Sequence, residues 1–262
     1  MGVILCTNEV CGFIRTYLLG SVLQKINRDF CMKRFYKDVE ILERDGFYYV
    51  TLDGNIMKTP HKNDLCTDNI ALADAIKQEW EGVRVDIKAD DMPITKYINT
   101  LIDKIQPGRD QMNALLVEYI HHDALCYFAG AADEEFNRLQ EEKWLPIIAQ
   151  FNAEYALNIQ TTTGIMPLMQ DEKTSDFAHN YVTSMKVNAF TAFHQLVTLT
   201  GSFILGVLIF QKKIDPQKAF DLSLLEEDRN VQKSGEDIEN AAHRQKKQKE
   251  WDEALQLFAC IK

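Results

Sequence analysis

Hydrophobic and polar positions between residues 35 and 60 fall into the runs VEIL, FYYVTL and NIMKT, separated by Asp45-Gly46 and Asp53-Gly54. Asp-Gly between β-favouring runs is the strongest short-range hairpin signal, so the pattern predicts a three-stranded meander ending at Pro60. The period then changes. Through ALADAIKQEW and the Ile70 before it, the apolar positions Ile70, Leu72, Ala73, Ile76 and Trp80 approximate one helix face, with Asp68 as the cap.

From Asp91 onward the pattern is mostly helical. Pro93 opens PITKYINTLIDKI, Pro107-Gly108 breaks it, and QMNALLVEYIHHDALCYF resumes it. Glu134 to Leu157 continues as helix, with Pro146 expected to kink or divide it. NIQTTTGIMPL reads as a strand, over residues 157–168, that returns to the N-terminal sheet. Two or three helices follow up to Phe210, Asp215-Pro216 starts an acidic helix, and Ser234 with Asp237 approximates a capping box for the last one. On that last helix Ile238, Ala242, Trp251, Leu255 and Phe258 supply an apolar face.

The predicted fold class is α+β: a small N-terminal β-meander/α unit packed on a larger C-terminal helical domain of orthogonal, bundle-like arrangement. The expected division is 1–32 as an extension or a start placed too early, 33–92 as the α+β domain, and 93–262 as the helical domain. Within the first segment, Arg15 interrupts the apolar run and no small-residue cleavage site follows. It is a poor secretory signal, and its acids make it a poor mitochondrial presequence. MKRFYKDVEIL from Met32 reads as a natural start.

Composition narrows the function classes. The chain has 262 residues, 46% hydrophobic and 26% charged, with a formal net charge of −10. Such a balance argues against nonspecific binding to nucleic acid or to anionic membrane, which needs a basic surface. LVTLTGSFILGVLIF, the most apolar stretch, is shorter than the roughly 20 apolar residues a bilayer-spanning helix needs; it predicts a buried helix in which Gly201 and Gly206 allow close packing. Six cysteines without a CxxC pair read as reduced intracellular thiols.

Chemical motifs are sparse. GxGxxG, GxxxxGK[ST], GxSxG and HExxH are all absent. His121-His122-Asp123 is the only compact group of possible metal ligands, and adjacent helical residues diverge by about 100°, so surface or capping histidines are expected and no metal or other cofactor. His194 reads as a hydrogen-bonded core histidine, and Trp80 and Trp144 as core.

The acidic segment between Pro216 and Glu239 is the least ordinary feature. On one continuous helix Glu226 falls between Ala219 and Leu222, and Glu227 beside Phe220 and Leu224, among core positions. An unpartnered buried charge is costly. Either Arg or Lys from elsewhere in the fold neutralises these acids, or they wait for a partner protein's basic groups. Paired acids at Glu226 and Glu227 with His194 could also serve an acid–base hydrolase, given a shaped pocket.

Six blocks in order, RFYKDVEI at 34–41, LDGNIMKTP at 52–60, LADAIKQEW at 72–80, MPITKYINTLID at 92–103, LTGSFILGVLI at 199–209 and AFDLSLLEEDRNVQKSGEDIE at 219–239, together resemble the ATP synthase F(1) complex assembly factor 2 family over residues 33–262. The resemblance implies a two-part fold and a non-enzymatic chaperone that binds the newly made α subunit of F(1)-ATPase until α meets β. No small-molecule substrate, nucleic acid or membrane insertion is then expected. It also implies a partner-binding acidic position within Glu226, Glu227 and Asp228, with Glu227 favoured, and extends the acidic surface to Glu236 and Asp237. Glu79, Trp80, Gly201 and Gly235 match characteristic positions of a structural kind. Ser234, where the family often has Trp, and Asn55, where it often has Arg, are departures. A hydrolase built on Glu226, Glu227 and His194, or a general helical adaptor, is the alternative function. Bacterial cytoplasm is the expected compartment and the mitochondrial matrix the alternative.

Overall fold

The computed structural model describes residues 32–164, 167–235 and 238–261. Their α+β chain divides into two compact units. Of the described residues, one holds 32–112, 186–192 and 251–261, the other 113–164, 167–185, 193–235 and 238–250.

In the first unit, β1 (Met32–Lys33) pairs with β6 (Asp86–Ile87), and β2 (Val39–Arg44), β3 (Phe47–Leu52) and β4 (Asn55–Ile56) form the predicted antiparallel meander. Both Asp-Gly pairs sit in the left-handed region, with φ of 54° and 78° at Asp45-Gly46 and 48° and 78° at Asp53-Gly54; tight two-residue hairpins require that geometry. A fourth strand, β5 (Cys66–Thr67), also pairs with β3. Helix α1 (Ile70–Gly82) buries Leu72, Ala73 and Ile76, while Ile70 is exposed. Its cap is Asn69 rather than Asp68: the Asn69 side chain accepts hydrogen bonds from the Ala71 and Leu72 amides, and Asp68 instead accepts one from Asn188.

Helix α2 (Pro93–Thr100) has Pro93 in its first turn and runs into a π turn at Leu101–Ile105 before α3 (Arg109–His121) begins. Val39, Val50, Leu65, Ile94 and Ile98 belong to the core, joined by Trp251 and Phe258 from the last helix.

The second unit contains β7 (Tyr127–Phe128), α4 (Glu134–Tyr155), β8 (Thr162–Thr163), α5 (Glu172–Thr183), most of α6 (Val187–Thr200), α7 (Phe203–Phe210), α8 (Pro216–Ser223), α9 (Leu225–Ser234) and most of α10 (Ile238–Cys260). One expectation fails here and another is narrowed. The stretch 157–168 does not return to the N-terminal sheet; β8 pairs in parallel with β7. Nor does Pro146 divide its helix, since α4 runs unbroken for 22 residues.

Aromatic packing fills this unit. Tyr181 stacks between Phe177 and Phe193 with ring centroids 5.7 and 5.4 Å away, and Phe193 meets Phe203 edge-on at 5.4 Å. Helix α7 is buried from Phe203 to Ile209. Among the described residues no helix is long and apolar enough to cross a membrane. At Gly206 α7 packs closely on α6: a Cβ there would lie 2.5 Å from Val197 Cγ2 and 3.2 Å from Phe193. Gly206→Ala should therefore cost about 1–3 kcal/mol by overpacking, against the roughly 1 kcal/mol that alanine ordinarily gains in a helix. The shift in urea midpoint measures it, and a stabilised variant would show that Val197 can move aside.

Candidate functional site

The acidic segment is two helices, not one. Trp144 Nε1 donates to the Leu222 carbonyl at 3.1 Å and Ser223 Oγ to the Phe220 carbonyl at 2.7 Å. These are acceptors that a continuing helix would need, and the chain breaks at Leu224 between α8 and α9. The expected register of Glu226 and Glu227 with the buried face of α8 is lost. No residue of α9 is buried, and its three acids occupy its first turn, where the helix dipole favours them.

Two of those acids have partners inside the unit. Lys247 Nζ, only 8% exposed, lies 2.5 Å from Glu227 Oε1, and Arg244 lies 2.6 Å from Asp228. Further along, Arg229 makes a forked pair with Asp133, 3.0 Å on each arm, and a 2.9 Å bond to Glu135. Lys233 reaches Asp133 at 2.5 Å. Arg229 and then Lys233 hold the Asp133 carboxyl well below the usual range, and Asp133 in turn raises Arg229. Glu226 differs. It is solvent-exposed and has no ion-pair partner among the described residues. The residue is exposed overall, but partial desolvation of its carboxyl by the protein beside it, followed by the neighbouring Glu227 charge, pushes its pKa up.

Glu236 and Asp237 lie outside the described residues, as does the capping role expected of Asp237. Gly235, with φ of 78°, ends α9 by donating its amide to the Val231 carbonyl at 2.8 Å. Of the residues expected on the last helix's apolar face, Trp251 and Phe258 are buried but Ile238 is 91% exposed.

Glu79 and Trp80 tie the end of α1 to the start of α2. Helix α2 has no side-chain cap at Met92, and Glu79 from α1 fills that role. It accepts the Ile94 amide at 2.6 Å, the Thr95 amide at 2.9 Å and the Thr95 hydroxyl at 2.6 Å. Trp80 Nε1 donates to the same hydroxyl oxygen at 3.1 Å.

Asp123 is what the sequence pattern concealed. It is fully buried: one oxygen accepts the Leu125 amide at 3.0 Å, and the other accepts the Ser202 hydroxyl at 3.0 Å and the Ile204 amide at 2.9 Å. It thus caps the N-terminus of α7. Burial raises its pKa to about 6. Gly201, at φ 66°, turns the chain between α6 and α7 so that its carbonyl accepts the Ala124 amide at 3.1 Å. His121, expected at the surface or in a cap, is buried; its Nδ1 accepts the Gln170 amide at 3.1 Å.

For acid–base chemistry the parts stand apart in kind. His194 is buried, and desolvation lowers its pKa to about 4, so it is neutral, whereas Glu226 faces solvent. A cleft of about 530 Å³ in the other unit is lined by Gln78, Glu79, Arg84, Asp86, Lys88 and Asp91, among others, and its Glu79 carboxylate is already committed to α2. Among the described residues no group of three or more His, Cys, Asp or Glu could hold a metal ion, and Cys66, Cys126 and Cys260 form no disulfide.

Residues 33–152 match the family model of the ATP12 chaperone protein. The chain is similar to the mitochondrial protein atp12 of Schizosaccharomyces pombe, 25% identical over 207 residues that cover 74% of this chain and 70% of that protein. It is similar also to the mitochondrial protein ATP12 of Saccharomyces cerevisiae, 27% identical over 217 residues, 70% of this chain and 66% of that protein. Among solved structures, Atp12 from Paracoccus denitrificans superposes with a TM-score of 0.82 at 32% identity, over 88% of this chain and 98% of that one. A chaperone candidate from Agrobacterium tumefaciens gives 0.81 at 26% identity, over 97% of this chain and all of that one.

Proposed function

Because the chain belongs to the ATP12 chaperone family, we propose that it is an assembly chaperone of F(1)-ATPase, binding the newly made α subunit by way of the acidic first turn of α9 and releasing it as α and β assemble. The observation that carries this reading is the surface of α9: a helix with no buried residue, whose leading acid, Glu226, is exposed and has no ion-pair partner among the described residues. An unassembled subunit interface is a large, aggregation-prone apolar patch, and a chaperone covering it needs both charge and apolar contacts. Leu139 and Leu145 on α4, Met169 and Ile238 are exposed apolar side chains of the same unit.

Within the acidic turn we assign the primary contact to Glu226. Glu227, favoured from the sequence, is already joined to Lys247, so changing it disturbs the chaperone itself. The test is co-expression of the full chain with the α subunit of the same organism, followed by pull-down and assay of soluble α. Glu226→Lys should weaken retention of α at least about tenfold, equivalent to about 1.4 kcal/mol, with an unchanged thermal midpoint. If the wild-type chain is well folded yet neither retains nor solubilises α, the proposed partner is wrong.

A further inference from the structure

We propose that α9 is an ion-pair latch that the chaperone closes on itself and that a basic partner surface opens by taking over its acids. This rests on the reading of α9 as the partner surface, and adds how that surface is regulated. The latch has two clasps. One is formed by Glu227 with Lys247 and Asp228 with Arg244, on the side of α10; the other by Arg229 and Lys233 with Asp133, and Arg229 with Glu135, at the start of α4. Apolar anchoring is slight, since Leu225 and Val231 are only half-buried and nothing in the helix is fully buried. Its ends are a break at Leu224 and a left-handed glycine at Gly235.

Helix α7 of the same unit is the opposite kind of helix: FILGVLIF carries no charge and is buried almost throughout. Ionic attachment is screened by salt, whereas apolar burial is not. Segments with few buried apolar contacts open ahead of the core. Helix α9 should therefore detach as a unit while α7 stays closed. A cationic partner that pairs with Glu227 and Asp228 then releases Lys247 and Arg244, exchanging internal ion pairs for external ones.

The test is hydrogen exchange on the full chain without any partner. Amides of residues 229–234 should exchange about tenfold faster at about 0.5 M than at about 0.05 M sodium chloride, and faster by a similar factor in Asp133→Asn at low salt, with those of α7 unchanged. Asparagine is as good an N-cap as aspartate, so this variant keeps the start of α4 while loosening the clasp; Arg229→Gln opens it from the other side. Acetylation of the nearly buried Lys247 should quicken under the same conditions, and again on adding the α subunit at low salt. Exchange of α9 that is independent of salt, or that occurs only together with α7, overturns the latch. Failure of α to bind while the salt and Asp133→Asn results hold would instead count against the partner. Slower acetylation of Lys247 in an α complex would show direct docking without exchange of clasps, and overturn the opening step.

Discussion

Replacing Asp123 with alanine should lower the unfolding free energy by about 3–5 kcal/mol, the range for removing one member of a fully buried charged network. Three donors lose their acceptor at once: the Leu125 and Ile204 amides and the Ser202 hydroxyl. None has solvent to turn to. Asparagine does not rescue the site, because its amide nitrogen would face donors. The acid dependence carries a definite sign. Burial lifts the carboxyl from 3.8 to about 6, so between those values the folded state binds more protons than the unfolded one. Stability from this group is full below about pH 4 and is lost as pH rises through about 6. The cost of Asp123→Ala should accordingly be about 1–1.5 kcal/mol larger at pH 5 than at pH 8. His194 works the other way, since its pKa falls from 6.5 to about 4 and its contribution grows with pH over that window. Comparing variant with wild type at each pH isolates Asp123. Urea titrations supply the measurement, and a cost that shrinks toward acid would mean that the three hydrogen bonds outweigh burial.

Glu79→Ala should cost about 2–4 kcal/mol, the sum of a lost helix cap and two further hydrogen bonds to a carboxylate. The start of α2 has nothing in reserve: Met92 offers no side-chain oxygen, and Thr95 Oγ1 is already shared with Trp80. Glu79→Gln keeps the length and one good acceptor and should recover part of the loss. Trp80→Phe removes the indole donor together with part of the ring that meets Tyr36 and should cost at least about 0.5–1.5 kcal/mol. Thermal and urea midpoints of the three variants form the comparison. A loss below about 1 kcal/mol for Glu79→Ala would mean that water replaces the cap.

These two sites mark how far the sequence could be read. The meander was legible because an Asp-Gly hairpin is a local device: Asp45 needs only its adjoining strands, and Asp53 is held in addition by the Lys37 and Asp38 amides just before β2. The broken acidic helix was not legible, because the groups that end α8 include Trp144, 78 residues away from the carbonyl it takes. For the same reason the question raised by the acids could not be answered from periodicity. Glu227 and Asp228 are neutralised across Gly235 by Lys247 and Arg244, and Arg229 by Asp133, 96 residues away. Asp123 was hidden in a histidine pair that drew attention to metals; its meaning lies in the Ser202 hydroxyl and the Ile204 amide, which define it only once α7 is in place. Glu79 stood out by resemblance alone and Trp80 also by its place on the apolar face of α1, but their bonds to Ile94 and Thr95 could be read from neither.

The Glu227–Lys247 contact has a consequence for descent. Two positions twenty residues apart are joined so closely that a sign change at one leaves a like charge facing the other, whereas reversal of both restores the attraction. Natural variation at either position is therefore not free to accumulate singly, and lineages that alter this corner of the protein should be found to have altered it in pairs.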